Sequence, residues 1–431
     1  MTFSINRRTF LASGAGALAL GVLNPRFAFA QDARLRLLWW GSQARSERTY
    51  KVVDLFKKAH PEIEVDGESA GWDNYWSRLA TQTSGGNAPD VMQMDYRYIF
   101  EYARRDVLLP LDKYMADGTL DVSNFSTQSV AGGQINGKTY GISLGANSVA
   151  MMINKAAWEE AGMDTPQPGQ TWEEFADHCE KLTKTTKRDR FYGCADQGGL
   201  EPAFETWLRQ RGKELYSAEG KLGFDDKDAG EWFAFWVDMR KRGACVPADV
   251  QSLDQLTIET SPLSQRRAAS CFAHSNQLVG YQAINKDPLT MGPYPVKAGS
   301  SRPGQYRKPS MLFSVAGDTK NPEAAAKFIG FFVNDPDAAR VLDVERGVPE
   351  SSKMREVLKK ESSNADRIQI EYIGSLGDKF AGPLPPPPPK GAGEIQLMIK
   401  RKNEEVGFET TSPEDAGAAF VAEAAAILER S

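Results

Sequence analysis

Aromatic rings, amides and carboxylates gather where apolar runs of this chain end. The run LRLLWW at 35–40 closes on Trp40, and Ser42, Gln43 and Arg45 follow it. Trp72 and Asp73 stand after a second run, and Asp95 and Tyr96 after a third. Asn147 lies in the segment GANS, Asp196 and Gln197 follow 191–194, and His274, Ser275 and Asn276 follow 271–273. Flat rings beside paired donors and acceptors suit a ligand that carries hydroxyls around apolar C–H faces.

Each of these residues has a plainer reading. Asp95 is placed to cap a helix. Arg45 could hold an anionic ligand group or pair on the surface. Trp39 and Trp40 point to opposite faces of a strand, so one is core and the other, Trp40 by alternation, lies at the open end. Trp72 could simply pack. A lone histidine is more often core than ligand, and only the strand-end position of His274 argues otherwise.

Other chemistries find little support. No G-x-S-x-G, H-E-x-x-H or P-loop occurs. The pairs Asp225-Asp226 and Glu173-Glu174 read as solvated faces rather than an acid and base. Tyr96, Tyr98 and Tyr102 fall on different faces of a helix and do not suggest iron. With 3 histidines and 4 cysteines, none in C-x-x-C spacing, a metal or redox cofactor is not expected. Cys179 shares helical spacing with Trp172, Phe175 and Leu182, and buried free thiols are expected throughout.

These residues need strands to hold them. The run at 35–40 reads as a strand buried on both faces, followed by a helix from about Ser46 that stops at Pro61. Strands beginning at Ile63 and Asp90 flank a helix from Trp72, which is βαβαβ spacing and predicts a parallel sheet. Further on, Thr171 and Glu174 form a capping box, 191–194 and 268–273 read as strands, and 231–241 as a helix. Asn321-Pro322 and Ser412-Pro413 open two more helices. The prolines at 385–389 predict a polyproline II connector.

The first 30 residues carry Arg7 and Arg8, a short Gly/Ala-rich apolar stretch and Ala28-Phe29-Ala30 before Gln31. This reads as a cleavable export signal, too short to span a membrane, and its twin arginine resembles a Tat signal. A periplasmic location follows as an expectation. Removing it takes three arginines and no acid, lowering the net charge from −5 to −8. An acidic chain is a poor partner for nucleic acid or anionic membrane. The remainder is too long for one core and suggests two lobes.

Several segments resemble family 1 extracellular solute-binding proteins of carbohydrate ABC importers. They are GNAPDV at 86–91 with LLPLD at 108–112, NGKTYGI at 136–142, and INK at 153–155. TWEEF at 171–175, KNPEAA at 320–325 and RGVP at 346–349 continue the order. The resemblance implies an α/β fold of two lobes, each a mostly parallel sheet flanked by helices, with a ligand cleft between them. It places lobe 1 at 31–144 plus 291–336 and lobe 2 at 145–290 plus 337–431. It implies a monomer without enzymatic activity that captures a sugar or polyol by hinge closure and hands it to an inner-membrane permease. Gly347 joins the candidate ligand-binding residues on this ground. In the segment EPAFETW at 201–207, Ala203 stands where relatives carry a stacking tyrosine, which suggests a small, polar or charged ligand; Phe204 and Trp207 are either substitutes or core. A binding protein for a polyamine or phosphate ester is the alternative, and a periplasmic glycoside hydrolase the more distant one.

Overall fold

The computed structural model describes residues 33–41, 43–377 and 380–430. The expected export signal and Ser42 lie outside them. Among the described residues no helix is long and apolar enough to cross a membrane.

The first lobe opens with β1 (Ala33–Trp40), α1 (Gln43–Ala59), β2 (Ile63–Ala70), α2 (Trp72–Ser84), β3 (Val91–Met94) and α3 (Tyr96–Arg104). Strands β2, β1 and β3 lie side by side and parallel. Residues 37–40 of β1 are buried on both faces, as a strand under helices must be. Val52, Val53 and Phe56 of α1 pack on one side, and Tyr75 and Leu79 come from α2. The short strand β4 (Ile142–Ser143) ends this part of the chain, which then enters the second lobe.

There β5 (Val149–Asn154) is followed by α4 (Trp172–Thr185), α5 (Glu201–Gln210), α6 (Asp226–Lys241), β6 (Ser270–His274) and β7 (Leu289–Gly292). All six residues of β5 are buried. Alternation divides them between two cores. Val149, Met151 and Ile153 join Trp172, Phe175, Trp207, Trp232 and Trp236 on one face. Ala150 and Met152 join Leu278, Tyr281, Ile370 and Ile373 on the other.

The chain returns to the first sheet as β8 (Leu312–Val315), antiparallel between β3 and β4. Two helices, α7 (Pro322–Asn334) and α8 (Pro336–Leu342), cover that lobe. Finally α9 (Ala392–Gly407) and α10 (Pro413–Arg430) pack against α6 in the second.

Three details differ from expectation. The second lobe's sheet, β7-β5-β6, is antiparallel, and its parallel pairing is confined to single bridges such as Tyr192 with Ala268 and Cys194 with Cys245. The segment 191–194 makes those bridges without extending into a strand. The crossings also fall later than 291 and 336. Leu289–Gly292 pairs with β5 and Tyr294 sits in the second lobe's core. Asp335 caps α8 rather than opening a linker, and Ala338 and Leu342 belong to the first core.

The three crossings run together. Lys308 pairs with Asn147 and Pro309 with Ala146. The Ala146 N–H donates to the Val348 carbonyl at 2.7 Å and the Val348 N–H donates back at 3.1 Å. Ser143 Oγ donates to Glu350 at 2.9 Å and Ser310 Oγ to the Gly145 carbonyl at 3.0 Å. Short extended segments tied by a few bonds between two lobes are the form of a hinge.

Candidate ligand cleft

Beside this hinge lies a cavity of about 200 Å³ with walls from both lobes. The first lobe supplies Tyr96 and Arg97, at the start of α3. The hinge supplies Asn147, Ser148, Tyr306 and Lys308, and the second lobe Glu201, Glu205, Tyr216 and His274. The chain from Leu384 to Pro388 closes the remaining side.

Local structure explains why these groups converge. Asp95 caps α3 by accepting from the Arg97 N–H at 2.8 Å, so Tyr96 and Arg97 begin the helix at the carboxyl end of β3. Pro202 sits in the first turn of α5, where its missing N–H costs nothing. Glu201 and Glu205 are one turn apart and share a face, while Ala203, Phe204 and Trp207 turn into the core.

The polar groups of the cavity are partly unspent. Glu205 accepts from Tyr306 Oη at 2.8 Å. The buried atoms Asn147 Oδ1 and Tyr216 Oη have no hydrogen-bond partner among the described residues. Buried polar groups are normally paired, so such atoms in a cavity point to a ligand or water. Burial, reinforced by Glu205, pushes the Glu201 carboxyl up to about 8, and Glu205 is also raised by burial. Burial raises the Tyr96 hydroxyl to about 12. Burial of the His274 ring, and then Lys308, lowers its pKa to about 4, leaving the ring neutral at neutral pH. Rings, a carboxyl that can donate, carboxyl and amide acceptors, and two cationic side chains can grip hydroxyls from several sides.

A second cavity, about 180 Å³, lies within the second lobe and shares Pro202, His274 and Gln396 with the first. It contains Asp196, Gln197 and Asp254, and burial raises Asp254. Among the described residues, no group of three or more His, Cys, Asp or Glu side chains is placed to hold a metal ion.

Comparison with known proteins settles the family. The model of the bacterial extracellular solute-binding protein family matches residues 40–339. The chain belongs to that family. An extracellular solute-binding protein family 1 structure from Alicyclobacillus acidocaldarius is 31% identical, with a TM-score of 0.85 over 92% of this chain and 98% of that one. A putative binding protein of Brucella abortus is 26% identical over 215 residues, 47% of this chain. The chain spans about half the length of that relative, 50%. The maltotriose-binding protein of Pyrococcus abyssi is 21% identical over 72% of this chain and 65% of its own.

Within this solute-binding protein the expected site residues divide. Tyr96, Asn147 and His274 line the hinge cavity. Gly347 lies at the third crossing with φ +93°. Trp72 is 44% exposed at the carboxyl end of β2 and meets Trp40 edge to face at 5.1 Å. Trp40 is buried among Trp72, Tyr75 and Trp76.

The others are committed elsewhere. Arg45 pairs with Glu345 at 2.7 Å, since the two meet where α1 passes the third crossing. Gln43 is exposed and donates to Glu47 at 3.2 Å. Asp95 spends its carboxylate on the helix cap. Asp196 is buried against Arg240, accepts from the Gly198 N–H at 2.9 Å and Asn403 Nδ2 at 3.2 Å, and so faces inward. Gln197 accepts from the Phe272 N–H at 3.1 Å and braces β6. Asn276 is exposed in a single 3₁₀ turn, Ser275–Gln277, outside both cavities. Ala203 lies in the core, so its small size says nothing about stacking in the cleft.

Glu201, Glu205, Tyr216, Tyr306, Lys308, Arg97 and the proline run line the cavity without a strand-end position in the sequence to mark them. The segment EPAFETW and its i, i+4 acids after Leu200 carry the sequence signal for Glu201 and Glu205.

Proposed function

We propose that this chain is the periplasmic substrate-binding component of an ABC importer that captures a small sugar, sugar derivative or polyol. One observation carries the reading. Where three crossings join two lobes, a cavity gathers tyrosines, amides and carboxyls, and two of its buried polar atoms, Asn147 Oδ1 and Tyr216 Oη, have no hydrogen-bond partner among the described residues. Hydroxyls entering there gain those bonds from the hinge and the second lobe, beside Arg97 of the first. Only contacts better made in the closed form stabilise closure. The family membership and the maltotriose-binding relative favour a carbohydrate.

In this reading the protein is a monomer, reaches the periplasm through a twin-arginine signal, and delivers its cargo through the rims of both lobes to a membrane permease. A thermal-shift panel of monosaccharides, oligosaccharides, sugar acids and polyols tests it, because a ligand raises stability by mass action. A shift of several degrees with a sugar, and recovery of that sugar unchanged after incubation, is expected. A panel without any shift, or turnover of the sugar, overturns the reading.

A further inference from the structure

The prolines at 385–389 form a wall of the cleft rather than a spacer. The chain entering the run is fixed from both lobes. Gln128 Nε2 of the first lobe donates to the Ala381 carbonyl at 3.1 Å, and Tyr96 Oη donates to the Pro385 carbonyl at 3.1 Å. Arg209 Nη2 of the second lobe donates to the Pro383 carbonyl at 2.6 Å. Ala381 and Gly382 also pair in parallel with Gln305 and Tyr306 of the second crossing. At the far end the Ala392 N–H donates to the Pro389 carbonyl at 3.2 Å, and Pro389 packs beside Gly220.

Proline has no N–H. Five in succession make a backbone that can only accept hydrogen bonds, with a fixed φ and little entropy left to lose. Among the described residues the carbonyls of Pro386, Pro387 and Pro388 accept nothing. Pro386 and Pro388 border the same cavity as Glu201 and Tyr216. Hydroxyls are the donors such a surface suits.

We propose that the run at 385–389 is a specificity-determining end wall: it takes ligand hydroxyls on donor-free carbonyls and stops the cleft at a ligand of one or two sugar rings. The inference rests on the hinge cavity being the ligand site. The cavity, at about 200 Å³, is below the roughly 300–1,000 Å³ usual for drug-sized ligands.

Two graded series serve as probes, glucose to maltopentaose and galacturonate to pentagalacturonate, with calorimetry on the full mature chain. The wild type is expected to bind members of one or two rings and none of four or five. The double variant Pro386→Gly/Pro388→Gly is expected to bind the longer members and lose at least about tenfold for the short ones. Should that variant fail to fold, Pro388→Gly alone leaves the Tyr96–Pro385 contact in place and is expected to move the cut-off by at least one ring. Wild-type binding of five rings as tightly as two, or an unchanged cut-off in the folded variants, overturns the wall and leaves the cleft reading intact. Absence of binding by every member of both series overturns the sugar-cleft reading itself, and the wall with it.

Discussion

Glu201 and Glu205 stand one turn apart on α5 and face the same cavity, but among the described residues only Glu205 has a protein donor, Tyr306 Oη at 2.8 Å. The two carboxyls are thus unequal. Burial raises both, but the Tyr306 hydroxyl works against that rise at Glu205, whereas Glu201 answers burial by keeping its proton to about 8.

That inequality gives a pH dependence. In the unfolded chain Glu201 ionises near 4.5, and in the folded chain near 8. The unfolded state therefore releases its proton first, and the native state loses stability as pH rises between the two values. Glu201→Gln removes this loss. Ligand-free denaturant titrations are expected to show the variant within error of wild type at pH 4.5 and more stable at pH 8.5 by as much as about 5 kcal/mol. An equal effect at both pH values would contradict the assignment.

The hinge makes a separate demand on glycine. Gly347 has φ +93°, and a Cβ there would stand 3.1 Å from the Ala146 carbonyl and 3.2 Å from Asn147 Oδ1. Gly162 has φ +68° with nothing within 4 Å. Gly347→Ala is expected to cost about 2–3 kcal/mol and Gly162→Ala about 1. Urea midpoints of the two variants check this, and equal losses would mean that the crossings do not press on one another as described.

Local pattern was legible in the sequence where neighbours decide it. The strands near 35–40 and 90–94 stand as the apolar runs predict, and Thr171 with Glu174 forms the expected reciprocal cap, at 3.1 and 2.8 Å. The binding candidates part company in the fold for one physical reason. Arg45 meets Glu345, three hundred positions later, and Asp196 meets Arg240; such pairs exist only after folding. Tyr96, Asn147 and His274 lie at strand ends that happen to face the hinge. Glu205, Tyr306 and Pro386 reach the same cavity from three distant segments, and no local signal distinguishes a cleft-facing acid from a solvated one.

Asp196 tests that distinction directly. It is buried, with Arg240, Asn403 and the Gly198 N–H all directed at its carboxylate. Removing one partner of a buried pair strands the other charge, at a cost of about 3–5 kcal/mol. Asp196→Ala is expected to lose that much without ligand present. A loss under about 1 kcal/mol, with weakened ligand binding instead, would return Asp196 to the binding surface.

The cysteines give the last prediction. Cys179, Cys194, Cys245 and Cys271 are free and buried. Burial raises the Cys194 and Cys245 thiols well above the ordinary range and Cys271 to about 12. The thiolate is the reactive form, so at pH 8 a thiol reagent finds all four sulfurs buried and those of Cys194, Cys245 and Cys271 protonated in the native chain. Ellman titration is expected to count none before unfolding and all four in guanidinium. Tm is expected to be the same with and without dithiothreitol, because no bridge constrains the unfolded chain. A drop in Tm on reduction would show a disulfide formed on export. The pair to suspect first would be Cys179 and Cys194, whose side chains interact in the core beneath Gly193.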